Sequence, residues 1–83
     1  MRISADLTSP YNHPAAYRVT VYVGKEPMHS VVEACEETNR IWVRVPGTAM
    51  VEERQPCERV HLEFVDAFDR PMTREQAVER YRL

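Results

Sequence analysis

From Tyr17 to Val23 the chain alternates strictly, with Tyr17, Val19, Val21 and Val23 on one side and Arg18, Thr20 and Tyr22 on the other. A period of two predicts a strand with one face turned to a core. The same pattern returns where Ile41, Val43 and Val45 alternate with Trp42 and Arg44, and again where Val60, Leu62 and Phe64 alternate with Arg59, His61 and Glu63. Ile3, Ala5 and Leu7 against Ser4, Asp6 and Thr8 predict a shorter first strand. Met28 to Glu36 also reads as a strand, but His29, Val31, Glu33 and Cys35 oppose Ser30, Val32, Ala34 and Glu36, so both faces are mixed and neither is marked as inward.

The punctuation between these runs is that of an antiparallel meander. Gly24 tolerates positive φ and predicts a tight turn after the first strong strand, while Pro27 belongs at the edge or first residue of the next strand. Asn39 accepts the left-handed conformation that a second hairpin requires. Pro46-Gly47 has the residue order of a type II turn, whose twist suits hairpins poorly, and predicts a corner before a short strand at "AMVEE". Pro10 and Pro14 remove two backbone donors and predict a loop over "SPYNHP". At the end, Thr73 and Gln76 stand at capping-box spacing, and Ala77, Val78 and Tyr81 predict a docked helix over about residues 74–82.

A chain of 83 residues is a single domain with a small core. The fold class expected for 1–83 is mainly β (a β-rich α+β chain): four to six antiparallel strands curled into a partly open barrel or sandwich, with one short C-terminal helix. The expected core is Val19, Val21, Ile41, Val43, Val60, Leu62 and Phe64. So small a core seldom encloses a substrate cavity unaided, which argues against a stand-alone enzyme and for self-association.

Charge and chemistry narrow the function classes further. Eleven Lys and Arg against 13 Asp and Glu leave a net charge of -2, which lacks the broad positive field that dominates nucleic-acid affinity. No run approaches the roughly 18 apolar residues of a membrane span, and "MRISADLTSP" lacks a secretory apolar stretch, so a cytoplasmic chain without membrane contact is expected. Cys35 and Cys57 are too few for a disulfide scaffold and are expected as free thiols. His29, Cys35, Cys57 and His61 have the composition of a zinc set, but no Cys-x-x-Cys pair is present and His29 and Cys35 share one extended run. Neither cysteine has a glycine loop or helix start beside it to stabilise an oxyanion. No catalytic residue, metal or cofactor is expected.

The candidate site is therefore the side away from the core, where alternation places Arg18, Tyr22, Trp42, Arg44, Arg59 and His61. Tyr, Trp and Arg are the residues most enriched at interface hot spots. One reading makes these residues a protein-interaction or assembly surface, with a symmetric dimer expected, Trp42 and Tyr22 at or near its interface and Arg18 and Arg44 on its rim. The other stacks single-stranded nucleic acid on Tyr22 and Trp42 with phosphates held by Arg18, Arg44 and Arg59. The acidic balance disfavours the second. A third possibility places Trp42 in a minor core under the C-terminal helix, with Val78 and Tyr81.

The stretch "VTVYVGKEPMHSVVEACEETNRIWVRV" resembles small β-rich proteins of uncharacterised function encoded in tailed-phage and prophage regions of proteobacteria. The shared features are a Val-rich strand, a Gly-Lys turn, a Val-Val-Glu-Ala strand with acids, and an aromatic, Arg-containing strand. The resemblance covers about a third of the chain and implies a phage-derived accessory role with no catalytic residues.

Overall fold

Each of the three strongly alternating runs forms a strand: β2 (Val19–Val23), β5 (Arg40–Arg44) and β7 (Val60–Val65). Around them lie β1 (Arg2–Ser4), β3 (Glu26–Met28), β4 (Val31–Cys35), β6 (Val51–Arg54) and β8 (Pro71–Met72), followed by helix α1 (Arg74–Tyr81). The computed structural model describes all residues, Met1 to Leu83. The strands form two antiparallel four-stranded sheets, ordered β1-β4-β5-β6 and β3-β2-β7-β8, which do not close into a barrel. The architecture is the β-rich one that the alternation predicts. The count reaches eight because strands of two or three residues, such as β3 and β8, carry too few positions to show a period.

The inner faces of both sheets meet in one core. Ile41 and Val43 from the first sheet pack with Val21, Val60, Leu62 and Phe64 from the second, and Ala77 of α1 joins them. Val19 lies partly buried at the margin. Six of the seven expected core residues are buried outright, because burying one face of a strand fixes the register of the whole strand.

Four local expectations are corrected. The run from Met28 to Glu36 is two strands, broken where Ser30 adopts a φ of 62°. β3 pairs with β2 and β4 with β5, so the chain changes sheets at His29-Ser30. A bulge between Val31 and Glu33 then resolves the mixed pattern: Val31 stands opposite Val43 and Glu33 opposite Trp42, leaving Val32 as the extra residue. The second correction concerns Tyr17, placed with Val19 by period but 77% exposed. Residues Pro14–Arg18 coil as a 3-10 helix, with proline at its start and the His13 side chain accepting from the Ala15 amide, so the strand begins only at Val19. Third, the first strand stops at Ser4 and Leu7 points to solvent, since the chain after Ser4 turns back to run Asn12 beside it. Fourth, Pro46-Gly47 closes a hairpin between β5 and β6 after all. Its six-residue loop, tied by Val45 N–H to Met50 C=O at 2.9 Å, absorbs the type II twist that a two-residue loop would not.

The gap between the sheets is bridged by side chains. β8 covers only Phe64 and Val65, so the edge of β7 from Val60 to Leu62 has no strand beside it. Asn39 Oδ1 accepts from the Val60 amide at 2.7 Å, Glu36 Oε2 accepts from the Leu62 amide at 3.0 Å, and Arg74 Nη2 donates to the Leu62 carbonyl at 2.9 Å. The turn of the β4–β5 hairpin and the first residue of α1 thus replace a missing strand. Asn39 holds this position with a φ of 55°, the left-handed geometry expected of it. α1 is fixed at its other end by Tyr81, whose hydroxyl donates to the Val65 carbonyl at 2.6 Å, and at its start by the full Thr73–Gln76 capping box.

Candidate functional site

Alternation sends the candidate residues away from the core, but a two-layered core has two outer faces. Tyr22 and His61 stand directly opposite each other on β2 and β7, with ring centroids 6.5 Å apart. Arg18 ends the 3-10 helix just before β2, and Arg59 immediately precedes β7, so two of the six candidates lie in the second sheet and two more at its strand ends. Trp42 and Arg44 lie on β5 in the first sheet. The single aromatic and Arg-rich face expected from the pattern is therefore divided, with Tyr22 and Trp42 on opposite outer surfaces.

Trp42 has its own neighbours there. The Arg2 guanidinium carbon lies 4.5 Å from the Trp42 ring centroid and 4.1 Å from that of Tyr11. Arg2 also pairs with Glu33, its Nε donating to Oε2 at 2.8 Å, and Ser9 donates to the other carboxylate oxygen at 2.8 Å. Burial of Glu33 favours its neutral form, but the hydrogen bonds from Ser9 and Arg2 outweigh this and hold its carboxyl below the usual range. This cluster is an internally satisfied polar cover over β1, β4 and β5. The helix is not part of it: Tyr81 packs against Phe64, with centroids 6.3 Å apart, and Val78 is exposed.

The cysteines differ in setting. Cys35 is buried on β4, its thiol 3.5 Å from Glu37, and Cys57 is exposed in the β6–β7 loop. No group of three or more His, Cys, Asp and Glu side chains is placed to hold a metal ion. No helix is long and apolar enough to cross a membrane.

Exposed Leu7, Tyr17 and Val51 meet at the end of the sandwich that Arg44 borders, whereas Tyr11, Phe68, Val78 and Leu83 are exposed elsewhere. A groove of about 490 Å³ is lined by Ala5, Leu7, Tyr17, Val32, Ala49 and Val51, with Asp6 and Arg44 as its polar members. Leu7 is 86% exposed, Tyr17 77% and Val51 44%, so three large apolar side chains converge on one concavity without being covered. Val51 stands in the regular β6 ladder, whereas three other members of the lining, Leu7, Tyr17 and Val32, owe their places to departures from simple alternation. Leu7 follows the early end of β1, Tyr17 rides on the 3-10 helix, and Val32 is the bulged residue of β4. Alternation alone places Leu7 and Tyr17 inward for that reason, and of the six candidates only Arg44 stands at this groove. A signal was present in "SPYNHPAAY", where Pro14 is well suited to open a helical turn that carries Tyr17 off the strand.

The open edge of the first sheet adjoins the groove. β6 is the outermost strand beyond β5, all four of its residues are exposed, and Val51 belongs to both strand and groove. No family model, no curated protein and no solved structure matches this chain.

Proposed function

We propose that the chain is a non-catalytic protein-interaction or assembly module, and that its working surface is the groove bordered by Arg44 together with the adjoining strand β6. The observation that carries this reading is the convergence of exposed Leu7, Tyr17 and Val51 on one concavity. Apolar groups brought together in this way, with a cation at the border, have the anatomy of an interface centre and its rim. Arg44 is the one residue of the expected surface that takes part. A phage-derived accessory role, implied by the resemblance of Tyr17 to Val45, is the setting in which such a module would act. The nucleic-acid alternative loses its main support, since base stacking on Tyr22 and Trp42 together needs both rings on one surface.

The test compares the double variant Leu7→Glu/Tyr17→Glu with Tyr22→Ala/His61→Ala on the opposite face. Association of the native protein, with itself or with a defined co-expressed partner, is expected to be lost in the first and kept in the second. Association unchanged by the groove variant overturns the proposal.

A further inference from the structure

Resting on the reading of this surface as an interface, we infer that its partner is a second copy of the chain, paired antiparallel along β6 about a twofold axis at Glu53. The sheet edges themselves point to β6. β1 is flanked by Asn12, through a bridge to Ser4. β3 carries Pro27, and the free part of β7 is capped by Asn39, Glu36 and Arg74. β6 has no proline, no bulge and no side-chain cap, and it leaves a row of backbone donors and acceptors for another strand.

The register follows from the ladder. Val45 N–H bonds to Met50 C=O, and the pairs Arg44↔Val51, Val43↔Glu52, Trp42↔Glu53 and Ile41↔Arg54 continue from it. The hydrogen-bonded pairs are therefore 45/50, 43/52 and 41/54, so the N–H and C=O groups of Val51 and Glu53 face outward, and the same parity carried one residue beyond β6 turns those of Gln55 outward in the pairing inferred. Centring the twofold on Glu53 engages all three on each copy. Val51 then meets Gln55 of the partner subunit, and Glu52 meets Arg54 of the partner subunit, twice by symmetry. Glu52 and Arg54 already share one side of the strand, at 3.2 Å, so exchanging this pair across the axis needs no change of face. The two Glu53 side chains face each other, but each brings Arg40, which donates to it at 3.0 Å. Centring on Glu52 instead sets Glu52 against itself with its Arg54 opposite Met50, and engages fewer outward groups. The mixed charges that would deter a random strand thus select one self-complementary register. Continued past Gln55, that register carries Pro56 of the partner subunit toward Met50, beside the groove.

Sedimentation of the full chain tests this. A concentration-dependent dimer is expected, weakened about tenfold by Glu52→Arg, which places Arg opposite Arg, and restored by the exchange Glu52→Arg/Arg54→Glu. In a Cys57→Ser background, Glu53→Cys is expected to join two copies through a short bifunctional thiol reagent, because the Cα atoms of a hydrogen-bonded antiparallel pair stand only about 5.5 Å apart. A chain that stays monomeric, or a dimer indifferent to both charge substitutions and not cross-linked at 53, overturns the inference. Association lost in Leu7→Glu/Tyr17→Glu but indifferent to β6 retains the groove as the interface and rejects the strand pairing. The reverse pattern retains the pairing and rejects the groove.

Discussion

The carboxylate of Glu36 accepts from Nη1 and Nη2 of Arg74, at 2.8 and 2.7 Å, and so joins the β4–β5 turn to the start of α1 across 38 residues of chain. The same carboxylate takes the Leu62 amide, and the same guanidinium covers the Leu62 carbonyl. Two sheets that share no backbone ladder are thus latched by one ion pair at the open edge of β7. Arg74→Ala leaves Glu36 and the Leu62 carbonyl short of a partner and is expected to destabilise the fold by about 2 kcal/mol. Urea unfolding reads this directly, and a loss below about 0.5 kcal/mol would assign Arg74 to the solvated surface.

Acid should open the same latch. Burial works against the charged form of Glu36, but the Arg74 guanidinium and the Leu62 amide outweigh it and lower the carboxyl from 4.5 to about 2. A carboxyl depressed in the folded state contributes stability that is fully present above 4.5 and is lost as the pH falls toward 2. The urea midpoint of the native protein is expected to drop across that window, and that of Glu36→Gln to drop less. Parallel pH profiles for the two proteins would show that other carboxylates govern acid unfolding.

The helix and its cap were legible from residue spacing alone. Thr73, Gln76, Ala77 and Tyr81 are sequence neighbours acting on one another, and local chemistry of that kind does not depend on the rest of the fold. The same is true of Gly24 and Asn39, whose positive φ values of 63° and 55° turn two hairpins. Core faces were legible wherever a strand held its period. The division into two sheets was not, because it rests on Ser30 changing the chain's direction and on the bulge at Val32, both decided by packing against distant strands. The candidate site suffered most from this, since residues pointing away from a core share one surface only if the core has one uncovered side.

Removing the cap should loosen α1 without unfolding the sheets. Thr73→Ala deletes the acceptor for the Gln76 amide at 3.1 Å and is expected to cost about 1 kcal/mol. Tyr81→Phe removes the bond to the Val65 carbonyl and is expected to cost a similar amount. Deleting residues 72–83 uncovers Phe64 as well, so a much lower melting temperature is expected. An unchanged melting temperature would make the helix an appendage.

The two thiols should separate by reactivity. Cys57 is exposed and Cys35 buried, so a thiol reagent is expected to modify Cys57 at once and Cys35 only on unfolding. Mass spectrometry of the native protein should show one rapid adduct. Two rapid adducts would mean that β4 opens readily, and an intramolecular disulfide would contradict the free-thiol assignment.

If the chain acts through the groove at Leu7 and Tyr17 and the edge of β6, by meeting its own copy there, dilution must release that surface. Backbone amide NMR of the native protein, followed from millimolar to micromolar concentration, tests this most directly. Shift changes are expected to be confined to Leu7, Tyr17 and the segment from Ala49 to Gln55, with the amides of Val51, Glu53 and Gln55 exchanging with solvent faster as the protein is diluted. Shifts that do not change with concentration, or changes centred on Tyr22 and His61, would contradict self-association through this surface.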